Sequence, residues 1–410
     1  MFVRIPVVAL STVVALLAVS VPRADAAGSL IISEFRLRGP NGAQDEFIEI
    51  YNDSGSPHVV APLSGTGYAI AASDGVVRCT IPSGTTIPAR GYWLCTNSVG
   101  YSLTFYPSGT GNAAGNGTYT ADIADNAGIA LFNNNTGGGA FSLANRFDAV
   151  GPSSEANALY REGVGYPPLL VSSTQQSWVR DECGKGGAVN LLGPCTISTP
   201  RDTDNNLADF FFVDATGASL GAGQRLGAPA PQNLASPIQR NGAFAVVLLD
   251  GTVPASAPPN RVRDLTSDPP FNSTAGTLTI RRRLVNTTGA PVTRLRFRVI
   301  DLDTFPAAAG FADLRVRSSV PNSVAGILDA ATCLATGSPS VPPCTVTVWG
   351  TGIEQPPSQA NGGAFNSGLN FGVISLGAPL AAGASINLEF RLGVQQTGSF
   401  RFYVNIEALP

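Results

Sequence analysis

Short segments with alternating apolar and polar residues recur along the chain, and they predict β-strands separated by turns rich in glycine, asparagine and proline. In residues 45–52, Ile48 and Ile50 point to one face of the predicted strand, and Glu49 points to the other. The other strands predicted in the first half are residues 30–35, 67–71, 76–81, 92–96, 129–132 and 210–213. No helical pattern of useful length appears between them.

The second half has longer alternating strands in which arginine occupies many polar positions. Residues 278–285 and 292–300 flank the turn sequence of residues 286–291, and this arrangement predicts a hairpin. In residues 292–300 the apolar side chains point to one face and the arginines to the other. Similar alternation follows around residues 314–317, 388–391 and 400–402. This half resembles a sandwich of immunoglobulin or fibronectin type.

Composition agrees with an all-β fold. The chain has 46 Gly and 31 Pro, with 13% charged and 44% hydrophobic residues, which favours many short strands around an ample core. A length of 410 residues is too great for one ordinary domain and suits two. We therefore predict an all-β protein of two immunoglobulin-like β-sandwich domains.

Charge and a proline-rich stretch place the predicted boundary between these domains. Residues 27–226 contain 10 Lys and Arg against 17 Asp and Glu, whereas residues 227–410 contain 13 Arg against 10 Asp and Glu. Residues 227–236 are rich in Pro and Ala, which favours extended, semi-rigid backbone. The predicted organisation is a first domain at 27–226, a linker at 227–236 and a second domain at 237–410.

The first 26 residues have the layout of a secretory signal peptide. Arg4 precedes an apolar run at residues 7–21, and small residues at Ala24 and Ala26 precede the expected cleavage site. The apolar run is shorter than the ~20 residues that a membrane-spanning helix needs. We expect cleavage after Ala26, secretion to the extracellular space or cell surface, and no membrane insertion of the mature chain.

Six cysteines fall into three close pairs, which suits an exported protein stabilised by local disulfides. The predicted pairs are Cys79 with Cys95, Cys183 with Cys195, and Cys333 with Cys344. Fifteen connectivities are possible for six cysteines. Nearest-neighbour pairing is favoured because each pair brackets a single turn region, and the spacing does not match a zinc site.

Several motifs in the first half occur in the order found in lamin tail domains. Residues 30–35 (Leu-Ile-Ile-Ser-Glu-Phe) and 46–52 (Glu-Phe-Ile-Glu-Ile-Tyr-Asn) resemble the opening of that family. Supporting segments are residues 87–94, 122–131, 177–180 and 201–210. The resemblance covers residues 28–213 and implies an immunoglobulin-like sandwich found in nuclear lamins and in many secreted bacterial proteins. Phe47 departs from the family's usual tryptophan.

Catalytic motifs are weak. Residues 217–221 match Gly-x-Ser-x-Gly around Ser219, but this motif needs a following helix and a downstream histidine, and the only histidine, His58, lies far upstream. Glu34, Glu46 and Glu49 lie on strands expected to be neighbours, where paired carboxylates could serve a glycosidase. They also coincide with the strand pattern of the resembled family. We predict that the protein is not an enzyme.

One polar cluster is a candidate calcium site. Oxygen-bearing side chains at near-alternating positions can wrap a hard cation. The four candidates are Asp202, Asp204, Asn206 and Asp209. Leu207 stands where an EF-hand loop needs glycine, and Val213 stands where that loop needs glutamate. The alternative is that these side chains cap turns before the final strand. No cofactor other than calcium is predicted.

The arginines of the second half are a candidate site for polyanions. Fork-shaped guanidinium donors on one exposed face would suit sulfate, phosphate or carboxylate. The set is Arg281, Arg283, Arg294, Arg296 and Arg298. The alternative is a charged face that pairs with Glu389 or docks on the acidic first domain. The sequence pI of 5.3 and the lack of interleaved aromatic residues favour this alternative.

Two functions remain. The first is a non-catalytic secreted or cell-surface protein that acts in adhesion or in surface or matrix organisation. The second is an accessory module that binds an extracellular polyanion, because bacterial lamin tail domains often accompany secreted nucleases and phosphatases. The partner would be an extracellular macromolecule, whether surface polysaccharide, protein or nucleic acid. The sequence does not define the oligomeric state.

Overall fold

The computed structural model describes residues 30–102, 113–182, 200–355 and 359–410, and most of their regular structure is β. The prediction of an all-β, sandwich-type protein is confirmed. The predicted signal peptide and the predicted Cys183–Cys195 pair lie outside the described residues. None of the helices in the described ranges is long and apolar enough to cross a membrane.

Among the described residues of the first half, twelve strands and one short helix are present. The strands are β1 (Leu30–Arg36), β2 (Phe47–Asn52), β3 (His58–Val59), β4 (Gly67–Ala72), β5 (Val77–Pro82), β6 (Thr86–Ile87), β7 (Tyr92–Asn97), β8 (Gly117–Tyr119), β9 (Ile129–Phe132), β10 (Arg146–Val150), β11 (Gln176–Arg180) and β12 (Phe210–Asp214). The helix is α1 (Asn206–Asp209), and 3-10 turns are formed by Gly138–Ala140, Leu143–Asn145 and Ala158–Tyr160.

Two sheets of the first half pack face to face. One has the strand order β12-β11-β1-β2-β7-β8, and the other has the order β10-β9-β4-β5. Alternate side chains from both sheets meet in one core, which includes Ile48, Ile50 and Trp93. The predicted disulfide between Cys79 of β5 and Cys95 of β7 is confirmed and joins the two sheets.

A bulge in β1 changes which side chains face the core. Ile32 pairs with Ile50, but the next register pair is Glu34 with Glu49, so Ser33 is an extra residue. Ile32 therefore points into the core while Glu34 points to the opposite face of the sheet. This outer face is also buried, because the second half covers it.

The described part of the second half contains thirteen strands and one helix. The strands are β13 (Ile238–Gln239), β14 (Phe244–Leu248), β15 (Arg261–Asp264), β16 (Thr277–Asn286), β17 (Arg294–Leu302), β18 (Asp313–Arg317), β19 (Asn322–Ile327), β20 (Gly337–Ser338), β21 (Cys344–Val348), β22 (Gly352–Ile353), β23 (Gly368–Asn370), β24 (Ser385–Gln396) and β25 (Phe402–Leu409). The helix is α2 (Ala330–Thr336), and 3-10 turns are formed by Asn241–Ala243 and Pro269–Phe271.

These strands form a second sandwich with its own core. One sheet has the order β13-β25-β17-β23-β22, and the other has the order β14-β16-β24-β18, with β15 also paired to β16. Phe297 and Phe390 meet edge to face between the sheets at 5.0 Å between ring centroids. A small sheet, β19-β21-β20, lies beside them, and the confirmed Cys333–Cys344 disulfide ties α2 to β21.

The predicted hairpin between residues 278–285 and 292–300 is wrong. Strands β16 and β17 form where they were expected, but they belong to different sheets of the second sandwich. The Asn286 side chain accepts a hydrogen bond from the Thr288 N–H and donates to the carbonyls of Ala290 and Leu380. This bonded arch carries the chain across from one sheet to the other, so the arginines of the two strands do not share a face.

Residues 227–236 were predicted as a linker, and residues 227–233 of this segment are buried between the two sandwiches, whereas Ala235 is exposed. Ala228, Ala230 and Gln232 are fully buried. The Gly227 backbone forms a bridge with Phe365 of the second half, and the Ala230 and Gln232 amides donate to glutamates of the first half. A Pro- and Ala-rich segment suits this position because its small side chains let the two sheets approach closely.

Candidate functional site

The acidic segment at 202–209 forms a turn and the single helical turn α1. The Asp209 carboxylate accepts hydrogen bonds from the Thr203 N–H at 2.8 Å and hydroxyl at 2.7 Å, and it pairs with Arg180 and Arg201. The Asn206 side-chain oxygen accepts from the backbone amides of Gly151 and Glu162. These oxygens stabilise the fold, as the turn-capping alternative expected.

The predicted calcium ligand set therefore needs correction. Asp202, Asp204, Asn206 and Asp209 do not form one oxygen cage, because Asn206 and Asp209 are buried and bonded to the chain while Asp204 is exposed. A different trio, Asp148, Glu162 and Asp202, has carboxylate oxygens within 4.8 Å of one another. Residues from separate strands and loops supply this trio, so spacing in the sequence could not reveal it.

Two arginines offset the negative charge of this trio. The Arg180 guanidinium lies 2.6 Å from Asp148 and 3.4 Å from Asp202, and Arg146 lies 2.9 Å from Glu162. Burial, followed by the charges of Asp148 and Asp202, raises the pKa of Glu162 to about 9. Burial also raises the pKa of Asp148. Glu162 therefore retains its proton at neutral pH, which lowers the charge that the two arginines must offset.

The predicted arginine face is divided between two sheets. Arg281 and Arg283 lie on β16, while Arg294, Arg296 and Arg298 lie on β17. This corrects the prediction of one exposed polyanion surface, because all five are at least partly buried.

The arginines of β16 bond to neighbouring side chains. Arg281 pairs with Glu389 across β16 and β24 at 3.1 Å, as the alternative interpretation expected. The Arg283 guanidinium donates to the Thr332 hydroxyl at 3.0 Å.

Arg296 and Arg298 of β17 bind the connecting segment between the two sandwiches. The Glu407 carboxylate pairs with both Arg296 and Arg298, and all three side chains are buried. Arg296 also donates to the Gln232 side chain at 2.7 Å, and Arg298 donates to the Ala230 carbonyl at 3.2 Å. Burial acts to raise the pKa of Glu407, but the two arginines hold it below its usual value.

Glu34 and Glu49 lie opposite this arginine cluster. Glu34 accepts from the Ser177 hydroxyl at 2.7 Å and the Ala230 amide at 3.0 Å, and Glu49 accepts from the Ser33 hydroxyl and the Gln232 amide, both at 2.6 Å. Burial, followed by the Glu34 charge, raises the pKa of Glu49 to about 8. Burial also raises the pKa of Glu34.

The space beside these glutamates is small. A cavity of about 40 Å³ is lined by Glu34, Glu49, Tyr92 and Arg298 among others. That volume holds one or two waters and is far below a typical ligand pocket of ~300 Å³ or more. Glu46, the third predicted carboxylate, accepts from the Asn97 side chain and the Ile123 amide instead, and burial raises its pKa to about 7. The arrangement serves to hold the two sandwiches together.

Ser219 and His58 occupy separate environments. The Ser219 carbonyl accepts from the Ala222 amide in a turn after β12, and residues 200–329 contain no α-helix after α1 to complete the serine motif. His58 is buried, its ring lies edge-on to Tyr68, and its Nε2 atom is 3.2 Å from the Tyr68 hydroxyl. Burial lowers the pKa of His58. These contacts fit a packing role.

A larger cavity that the sequence did not predict lies beside the second sandwich, between the sheet that contains β15, β16, β18 and β24 and the segment that follows β24. Its volume is about 310 Å³. It is lined by Ser256, Arg261, Arg263, Leu278, Ala312, Leu314, Val394, Thr397, Gly398 and Phe400. The signal that could have drawn attention to it is the pair of arginines at alternate positions of β15, Arg261 and Arg263.

No protein-family model matches the chain, and no curated protein or solved structure matches it either.

Proposed function

We propose that the mature chain is a non-catalytic exported protein that acts in adhesion or in surface or matrix organisation. In this proposal the first sandwich is a domain of lamin tail type. The observation that carries the proposal is the buried junction between the sandwiches. Arg296, Arg298 and Glu407 on one side meet Gln232 and Ala230 of the connecting segment, which also bonds to the first sandwich.

This junction supports an adhesive function for a mechanical reason. Loosely tethered domains move independently, whereas a large interface with buried, paired charges fixes their orientation. A fixed pair of sandwiches presents its outer loops and strands at constant spacing, which suits simultaneous contact with an extended surface. Two confirmed disulfides are compatible with an extracellular setting.

A sedimentation assay tests the proposal. The purified chain is mixed with cells of the source organism and with their isolated envelope and matrix fractions, and the protein retained in each pellet is measured. We expect saturable retention on an envelope or matrix fraction. An Arg298→Gln variant, in which the junction is weakened, should be retained less, whereas Arg161→Gln, far from the junction, should bind as the parent does.

Enzymatic turnover or uniform lack of retention would contradict the proposal. A panel of ester, phosphate and glycoside substrates supplies the first measurement. Turnover that scales with protein concentration would assign the chain to an enzyme class instead.

Polyanion binding remains the second candidate, on different residues from those first predicted. Arg261, Arg263 and Arg282 have no carboxylate within ion-pair distance among the described residues. Retention on a heparin or DNA column at low salt, lost when these three arginines become glutamine, would favour this candidate over adhesion.

A further inference from the structure

The cavity beside the second sandwich has apolar walls from one sheet and from the segment that follows it. Leu278 of β16, Leu314 of β18 and Val394 of β24 belong to the same sheet, and Phe400 belongs to the segment between β24 and β25. An apolar cavity of ~150 Å³ binds benzene, which has six carbons. A volume of about 310 Å³ therefore has room for an apolar chain of roughly twice as many carbons.

Arg261 and Arg263 stand on the core-facing side of the sheet at the mouth of this cavity. In the strand register, Arg261 pairs with Ile280 and Arg263 pairs with Leu278, which lines the cavity. Directly opposite residues of an antiparallel pair share a face. The intervening residue of β15, Val262, and the next, Asp264, alternate with them. The single acidic residue of β15 thus points away from the two arginines.

The Arg261 guanidinium is held over an aromatic wall and has no ion-pair partner in the described part of the chain. Its central carbon lies 5.9 Å from the Phe400 ring centroid. Arg263 donates to the backbone carbonyls of Ala275 and Thr277. Arg282 is close enough that the Arg261 charge, after burial, lowers its pKa. Arg261 and Arg263 line the mouth, and together with the neighbouring Arg282 they make its electrostatic potential positive.

We propose that this cavity binds a free long-chain carboxylate, whose apolar tail lies against these apolar walls and whose carboxylate is bound by Arg261. The apolar walls account for the tail, and the fork-shaped guanidinium donors match a carboxylate in geometry and charge. The proposal goes beyond adhesion and does not depend on it.

A free carboxylate fits better than a membrane lipid or a polymer. The volume suits one chain of about twelve carbons, whereas a phospholipid carries two longer chains. A polymeric anion would contact the arginines without entering the apolar space, so the apolar walls would contribute nothing to its binding. Burying the tail supplies affinity, and Arg261 supplies selectivity for the anion.

Calorimetric titration of the purified chain with dodecanoate, below its micellar concentration, tests the proposal. We expect saturable binding at one molecule per chain. Dodecanol and dodecyltrimethylammonium should bind at least about tenfold more weakly, since a charge-assisted hydrogen bond contributes on that scale. Acetate, which has the carboxylate but no long tail, should show no measurable binding.

Two variants separate the contributions of head group and tail. Arg261→Gln should weaken dodecanoate binding at least about tenfold while leaving dodecanol binding unchanged. Ser256→Trp, which places a large ring at the exposed edge of the cavity, should block both ligands. Arg161→Gln removes an equal charge from the first sandwich and should bind dodecanoate as the parent does. Unchanged circular dichroism and melting temperature show that each variant is folded.

Three results would overturn the proposal. The first is equal affinity for dodecanoate and dodecanol. The second is unchanged dodecanoate binding in folded Arg261→Gln and Ser256→Trp. The third is binding to anionic phosphatidylglycerol vesicles or to heparin with no binding of monomeric dodecanoate. The first two results leave the adhesion proposal untouched, because sedimentation with cells does not depend on dodecanoate, whereas heparin binding would favour the polyanion candidate.

Discussion

Glu34 of β1 and Glu49 of β2 lie directly opposite each other in the strand register, and backbone amides of the connecting segment donate to both. Two carboxylates at such positions repel each other when both are ionised. Arg298, which reaches the same junction from the second sandwich, offsets part of this repulsion. The strand register places Glu34 and Glu49 side by side, and both bind the segment that connects the two sandwiches. The protonation state of these two glutamates should therefore control how tightly the sandwiches are held together.

The first prediction concerns pH and stability. Because the pKa of Glu49 is raised to about 8, the folded chain binds a proton that the unfolded chain loses near pH 4.5. Stability from this group is complete below pH 4.5 and is lost as pH rises through about 8. We expect the melting temperature to fall between pH 5 and pH 9. The raised pKa of Glu162, about 9, acts in the same direction.

The variant Glu49→Gln isolates this contribution. Its amide can donate to the Ser33 hydroxyl and still accept from the Gln232 amide, so it resembles the protonated glutamate. The melting temperature of the variant should fall less than that of the parent over the same pH range. Asp204→Asn, on an exposed carboxylate, is the control. If the melting temperatures of the parent and of Glu49→Gln fell equally over this pH range, the pKa of Glu49 would not be raised in the folded chain.

The second prediction concerns the buried ion pair between Arg296 and Glu407. Arg296→Ala leaves the Glu407 carboxylate with fewer partners in a buried site, and such losses typically destabilise by about 3–5 kcal/mol. Arg317→Ala, whose partner Asp268 is exposed, should cost less than about 1 kcal/mol. Urea unfolding of both variants measures the difference. Equal costs would mean that the junction contributes little to stability.

The third prediction concerns accessibility of the connecting segment. Elastase cleaves after small residues, so residues 227–236 would be an easy target in an exposed linker. Because Ala228 and Ala230 are fully buried, we expect the native chain to resist cleavage after these two residues, whereas the exposed Ala235 remains accessible. Arg298→Ala should increase cleavage after Ala228 and Ala230 by loosening the junction. Rapid cleavage of the parent protein after Ala228 or Ala230, detected by mass spectrometry, would contradict the buried placement.

The fourth prediction concerns the disulfides. Replacing Cys79 and Cys95 by serine should lower the free energy of unfolding by about 3 kcal/mol, since the bond joins the two sheets of the first sandwich. Replacing Cys333 and Cys344 should expose mainly α2 and β21 to hydrogen exchange. Non-reducing peptide mapping should also find the Cys183–Cys195 pair that the sequence predicts. Finding Cys183 or Cys195 in the reduced state would contradict that pairing.

The fifth prediction concerns calcium. Arg180 and Arg146 already pair with the carboxylate trio of Asp148, Glu162 and Asp202, so we expect neither Ca²⁺ nor a chelator to change the melting temperature. A rise of several degrees with Ca²⁺, abolished in Asp202→Asn, would instead assign a cation to this trio.

The sequence by itself determined the fold class, the positions of the main strands and two disulfides in the described residues. These features depend on local patterns: alternation defines strands, turn residues separate them, and cysteines close in sequence meet across one turn. The alternation in β17 also identified which side chains point away from the core. The bulge in β1 is also visible in the sequence. The core positions of this strand are Leu30 and Ile32 before the bulge and Phe35 after it, so the strict alternation is interrupted.

Only the tertiary structure decided what covers each face. The arginines of β17 alternate with apolar residues and point away from the core, but whether water or another part of the chain lies beyond them depends on contacts distant in sequence. The sequence predicts that Arg298 lies on an exposed face, whereas in the structure it donates to Glu407 and to the Ala230 carbonyl. The cavity beside Arg261 likewise forms from five separate segments. Local periodicity encodes the direction of a side chain, whereas its partner is set by the packing of whole sheets.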